Sequence, residues 1–221
     1  ANTIIAAYLA SRGFDIDILG QYYGVEYLRQ SYTYGSLAGR IWTPFYRNSA
    51  LIAWTARAVD GLCQSDIRHW HSEGGLGGLL YGLGGALRCR VMCMVEGPAD
   101  KWAVGRPGVA ILSKVFGQQK RQRMIEGLVG SSVELVVVLL DPSQNEKELH
   151  RPHQIEVATA TLRRYWNGTV LPVYLPLHLD PGSSPREFLP SYLQTVLTLY
   201  GYSELGAVLA RDVSASTATW R

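Results

Sequence analysis

Three segments place a carboxylate directly after an apolar, β-prone run. They are Glu96-Gly97-Pro98-Ala99-Asp100, Asp141-Pro142-Ser143, and Asp180-Pro181-Gly182 at the end of Pro176-Leu177-His178-Leu179. If the preceding runs are strands of one sheet, these acids converge on a single edge. Converging carboxylates repel one another unless a cation neutralises them, and hard oxygen ligands suit Mg²⁺ or Mn²⁺. An ion held in this way positions phosphates and offsets the charge of a displacement at phosphorus. Taken singly, each segment is an ordinary turn, because Asp-Pro and Glu-Gly both start turns. Their joint placement is the signal.

Other polar groups carry less. His69 and His71 flank Trp70 with Asp66 and Glu73 nearby, and at a period of two they share one strand face. No third metal ligand accompanies them, so contact with a nucleotide or phosphate is the better reading. Arg40, Arg57 and Arg68 sit at strand ends or in a loop, where a guanidinium fork can bind phosphate or simply face water. Lys120, Arg121 and Arg123 read as the solvated face of a helix, and His150 and His153 as a solvated cap around Arg151. Tyr32, Tyr34, Trp42 and Trp54 could stack on bases, although core packing explains them more simply. Cys63, Cys89 and Cys93 form neither a disulfide framework nor a zinc knuckle, and Cys89 and Cys93 read as core residues. No Ser-His-Asp order stands out.

The elements that must position these residues follow from periodicity. Residues 3–11 and 15–22 read as short helices, and residues 40–46 and 51–59 as a β-hairpin across Arg47-Asn48-Ser49. Gly74, Gly75, Gly77 and Gly78 lead to a short apolar helix near residues 79–87. Strands at 89–95, 109–112, 133–140 and 169–175 then alternate with helices at 98–104, 118–128, 153–166 and 185–200. The run Val136-Val137-Val138-Leu139-Leu140 has no polar alternation, the mark of a strand covered on both faces of a parallel sheet. Strands alternating with helices mean an α/β sheet with right-handed crossovers, whose ligands sit beyond the strands' carboxyl ends.

The expected architecture is a parallel sheet flanked by helices, preceded by a small α+β subdomain with a β-hairpin. Its expected divisions are residues 1–87, 88–213 and a frayed tail at 214–221. Composition agrees. The 221 residues are 47% hydrophobic and 18% charged, with net charge +3, which excludes a disordered chain. No run reaches the roughly 18 apolar residues a spanning helix needs, and ANTIIAAYLA lacks a positive n-region, so a cytoplasmic protein without secretory leader is expected.

The order Glu-Gly-x-x-Asp, then strand-Asp-x-Asp, then Leu-Pro-x-x-x-Asp-Pro resembles the Toprim domain of bacterial and phage-type DNA primases. The segment before it resembles the basic subdomain of the same enzymes: Arg40-Ile41-x-x-Pro44-Phe45, then Trp54-Thr55-Ala56-Arg57, then Arg68-His69-Trp70-His71-Ser72 where the family reads Lys-Tyr-Leu-Asn-Ser, then Leu80-Tyr81-Gly82-Leu83. The match runs over residues 36–188. The resemblance implies a nucleotidyltransferase, the DNA-directed RNA polymerase core that makes RNA primers for DNA replication. It implies Glu96 and Asp141 as catalytic residues, and Glu96, Asp100, Asp141 and Asp180 as positions for Mg²⁺ or Mn²⁺. It implies Arg40, Arg57, Arg68, His71 and Tyr81 as contacts to nucleic acid or nucleotide. The partners implied are single-stranded DNA template, ribonucleoside triphosphates, and a replicative helicase or zinc-binding module supplied elsewhere. A trimmed core fragment from a phage or mobile element would suit this pattern.

Two positions depart from the family. Ser143 and Gly182 stand where second acids are expected, and Glu146 and Glu148 follow in a loop that could substitute. The loss leaves two alternatives open: a non-catalytic or weakened nucleic-acid-binding module of a replication complex, or a Toprim nuclease.

Overall fold

Two kinds of sheet account for the strands of this chain, and each follows from its residues. The computed structural model describes residues 2–30, 37–63, 66–113, 115–140, 151–176 and 179–218. Its contacts divide into two units, one reaching Leu76 and one beginning at Gly77.

The first unit opens with α1 (Asn2–Ser11) and α2 (Ile16–Tyr23). Asp15 caps α2, its Oδ1 accepting the amides of Asp17 and Ile18 at 2.8 and 3.2 Å, and Gly24 ends it in the left-handed conformation. An antiparallel sheet of order β1-β2-β3-β4 follows, from Glu26–Leu28 (β1), Arg40–Arg47 (β2), Ala50–Ala58 (β3) and His69–His71 (β4). The β2–β3 hairpin turns through Asn48 and Ser49, both at positive φ, the two-residue loop that suits the twist of paired strands. Gly39 is required where it stands: a Cβ would lie 2.4 Å from the carbonyl oxygen of Leu62. The short strand β1 carries no clear alternation and escapes a sequence reading.

The second unit contains α3 (Leu83–Ala86), β5 (Val91–Val95), α4 (Pro98–Val104), β6 (Gly108–Ala110), α5 (Gln118–Leu128), β7 (Leu135–Val138), α6 (Arg151–Tyr165), β8 (Thr169–Pro172), α7 (Phe188–Leu199) and α8 (Ser203–Ala218). All strand pairs are parallel, in the order β6-β5-β7-β8. Alternation within the apolar strands feeds two cores. Met92, Met94, Val136, Val138 and Val170 pack with Met124 and Leu128 of α5 and Ala158 and Leu162 of α6. Val91, Cys93, Val95, Leu135, Val137 and Leu171 pack with Val104 of α4, Leu193 and Leu197 of α7, and Leu209 and Val213 of α8. Every residue of β5 and β7 is buried, which is why their sequences show no polar alternation.

Three expectations change. The division falls at Leu76/Gly77 and not after residue 87, because Tyr81 exchanges both backbone hydrogen bonds with Ala110 and Ala86 enters the core beside Met92. Residues 214–218 are not a frayed tail but the last turn of α8, which Leu209 and Val213 hold against the sheet. Lys120 is not on a solvated face: it is 3% exposed and its Nζ donates to Ser113 Oγ at 2.7 Å. No helix among the described residues is long and apolar enough to cross a membrane.

Candidate functional site

Strand order decides where a ligand would sit in the second unit. The chain leaves β5 for β6 on one side, then returns past β5 to β7 and continues outward to β8. Right-handed crossovers put α4 on one face and α5 and α6 on the other, so the direction reverses between β5 and β7. The crevice beyond the carboxyl ends of two such strands is the usual ligand position of an open parallel sheet.

Glu96 is the first residue past β5 and is half-buried. Its backbone carbonyl accepts the amide of Leu112, which follows β6 at a φ of 55°. Gly97 then caps α4, and Pro98 is tolerated at the helix start because it has no amide to satisfy there. Asp100 is 6% exposed. Its Oδ2 accepts the Gly97 amide at 2.8 Å, and its Oδ1 accepts the Gly182 amide at 3.0 Å. One buried carboxylate therefore ties the turn after β5 to the loop after β8, across the end of β7.

Asp180 is half-buried within that second loop, eight residues past the end of β8 and two residues from the tie. Its carbonyl accepts the Ser184 hydroxyl at 2.7 Å and the Ser184 amide at 3.0 Å, closing a tight turn ahead of α7. Asp141, Ser143, Glu146 and Glu148 lie outside the described residues, as do Tyr32, Tyr34 and His150. Among the described residues no group of three His, Cys, Asp or Glu side chains gathers closely enough to hold a metal ion.

Gly182 has a steric reason the sequence did not reveal. A Cβ there would lie 2.9 Å from Ala99 Cβ and 3.0 Å from both Ala99 C and Asp100 Oδ1. The position read as a lost acid is the close approach that makes the tie possible. The dipeptide Pro181-Gly182 signalled a turn, but nothing local signalled its partner in α4.

Among its described residues the same unit holds two buried lysines. Lys101, next to Asp100, is 4% exposed and donates from Nζ to the Gly105 carbonyl at the end of α4. Burial pushes its pKa down to about 8. Its stem passes so close to Gly82 that a Cβ there would meet Lys101 Cε at 2.3 Å. Tyr81 is half-buried, its hydroxyl accepting Trp102 Nε1 at 3.3 Å. Burial also lowers the pKa of Lys120.

In the first unit the predicted basic residues part company. Arg40 is fully buried, and its guanidinium donates to the carbonyls of Ile67 at 2.7 Å and of Ala56 and Arg68 at 3.4 Å. It braces the turn ahead of β4, so its expected role as a nucleic-acid contact is corrected to a structural one. Arg57 is half-buried on β3 directly opposite His69, while Arg68, His69 and His71 are exposed at the start of and along β4. Trp42 and Trp54 are half-buried. Arg57, Arg68 and His71 thus belong to one basic strand edge, to which the structure adds His69.

No family model matches this chain, and no curated protein sequence does. Solved structures do. Over 99% of this chain and 91% of the other, the fold is similar to the RNA polymerase domain of the Mycobacterium tuberculosis primase DnaG in complex with double-stranded DNA, with TM-score 0.62 and 13% identity. A second structure of that domain aligns over 95% of this chain and 76% of the other, with TM-score 0.60 and 14% identity. A third, bound to double-stranded DNA with an overhang, aligns over 96% and 72%, with TM-score 0.59 and 14% identity. The chain therefore has the fold of a primase RNA polymerase domain.

Proposed function

We propose that this chain is the RNA polymerase core of a primase, with the parallel-sheet unit as its Toprim domain. It would bind single-stranded DNA template along the basic edge of the first unit and join ribonucleotides at the acidic edge of the second. The observation that carries this reading is the Asp100–Gly182 tie, which brings the Glu96 turn and the Asp180 loop of the acidic series to one end of one sheet in a chain with this fold.

The donor chemistry fits a hard divalent cation: Glu96 and Asp180 are half-buried carboxylates at that edge, and Asp141 follows the strand between them. Mg²⁺ or Mn²⁺ held there would supply a lowered pKa for the primer hydroxyl and charge compensation for the leaving pyrophosphate. Asp100, with each oxygen accepting a backbone amide, would act as a positioning residue for the two loops. Glu96 and Asp141 would hold the ion, and Arg57, Arg68 and His71 would meet template or nucleotide phosphates.

The test is a priming assay with single-stranded template and labelled ribonucleotides, comparing the parent with Glu96→Gln. The parent is expected to make primers and the variant none, with a melting temperature unchanged or raised because one repelling carboxylate is gone. A variant that primes like the parent would remove Glu96 from the site. A second reading has its own support: no second acid fits at Gly182, so the chain could serve as a template-binding module without catalysis. Salt-sensitive binding without primers would select that reading, and cleaved DNA would select a nuclease.

A further inference from the structure

β4 is one of the two outer strands of the antiparallel sheet, and its two histidines leave the same face two residues apart. Their ring centroids are 6.5 Å apart and the rings are inclined by only 10°. His69 faces Arg57 across the β3–β4 pair and follows Arg68 in the chain. Among the described residues, the groups whose charge acts on His69 are all bases: Arg57 from β3, Arg68 at the strand's start, His71 on the strand when it is protonated, and Arg40 from β2. The acids nearest in sequence, Asp66 and Glu73, are exposed and are not among them.

Partial burial and then this repulsion push the His69 pKa down to about 4, and burial lowers that of His71. Both imidazoles are therefore neutral near neutral pH in the ligand-free protein. A polyanion reverses the balance. Phosphate oxygens offset the charges of Arg57 and Arg68, and they give each imidazolium an acceptor for its second N–H.

We infer that the His69–His71 pair is a proton-linked phosphate contact, which takes up protons as single-stranded nucleic acid binds and donates them as hydrogen bonds to backbone phosphates. This rests on the reading of the first unit as a template-binding surface, and adds to it a site and a pH dependence. Binding tightens as pH falls, by up to about tenfold per pH unit for each proton taken up.

The experiment uses the full chain and a labelled oligothymidylate, with affinity measured at constant ionic strength near about pH 6 and about pH 8, on either side of the ordinary imidazole pKa. The parent is expected to bind several-fold tighter at the lower pH. The double variant His69→Gln, His71→Gln is expected to give the same affinity at both. Independently, the imidazole proton resonances of the parent should titrate at higher pH once the oligonucleotide is added. Equal pH dependence in parent and variant, or imidazoles that titrate alike with and without the oligonucleotide, overturns the inference while leaving template binding intact. A parent that binds at neither pH overturns both.

Discussion

In the antiparallel unit, the candidate groups stand along the side of a strand: His69 and His71 project from β4 with Arg57 opposite on β3. In the parallel unit they stand beyond the strand ends, where Glu96 follows Val95 and a loop tie through Asp100 fixes the turn. The difference sets what each region can tolerate. Along the strand Arg68, His69 and His71 are exposed, so salt and pH govern them. Strand-end acids depend on backbone closeness, so sterics and buried hydrogen bonds govern them. The buried basic residues Arg40 and Lys101 test the contrast from the opposite direction, because the fold encloses both side chains.

The largest expected effect belongs to Arg40→Ala. It strips donors from the carbonyls of Ile67, Ala56 and Arg68 and leaves a cavity, at a cost of about 3–5 kcal/mol. Denaturant unfolding measures it. A loss of DNA binding with stability unchanged would return Arg40 to the binding edge.

Next comes Gly182→Asp, which places an acid where the sequence resemblance expects a second one. The new Cβ meets Ala99 and the new carboxylate faces buried Asp100, so about 2–4 kcal/mol of stability should be lost. Unchanged stability together with tighter Mn²⁺ binding would show that the close approach is not needed.

Lys101→Met acts in the other direction. The group has a pKa of about 8 in the fold against an ordinary 10.5, so between those values the unfolded chain binds more protons and stability rises with pH. Below about pH 8 the buried charge costs on the order of 3 kcal/mol. Replacing it with Met should raise stability at neutral pH by about 1–3 kcal/mol, even with the bond to Gly105 lost, and should remove this rise between pH 8 and 10.5. Melting curves of both proteins across that window, taken as a difference, make the check.

The smallest effect is electrostatic. Arg68→Ala should leave unfolding unchanged and reduce the salt slope of single-strand binding by about 0.7 for the lost phosphate contact. An unaltered slope would place the nucleic acid on another face.

The sequence by itself determined the parallel sheet and the order of its acids. The continuous apolar runs of β5 and β7 and the helices α4 and α5, whose bounds agree to the residue, are written in local periodicity. Local pattern also located Glu96, Asp180 and the hairpin. It could not separate Arg40 from Arg68, because both are arginines beside β-strands, and only the packing of β2 against the chain ahead of β4 buries one and exposes the other. Nor could it read Gly182 as a contact, Lys120 as buried, or α8 as continuing to Ala218. These rest on partners outside the local pattern, seven residues away for Lys120 and Ser113 and 82 for Asp100 and Gly182. Periodicity records which face of an element is apolar; which other element meets that face, and how closely its backbone approaches, is decided when the whole sheet is assembled.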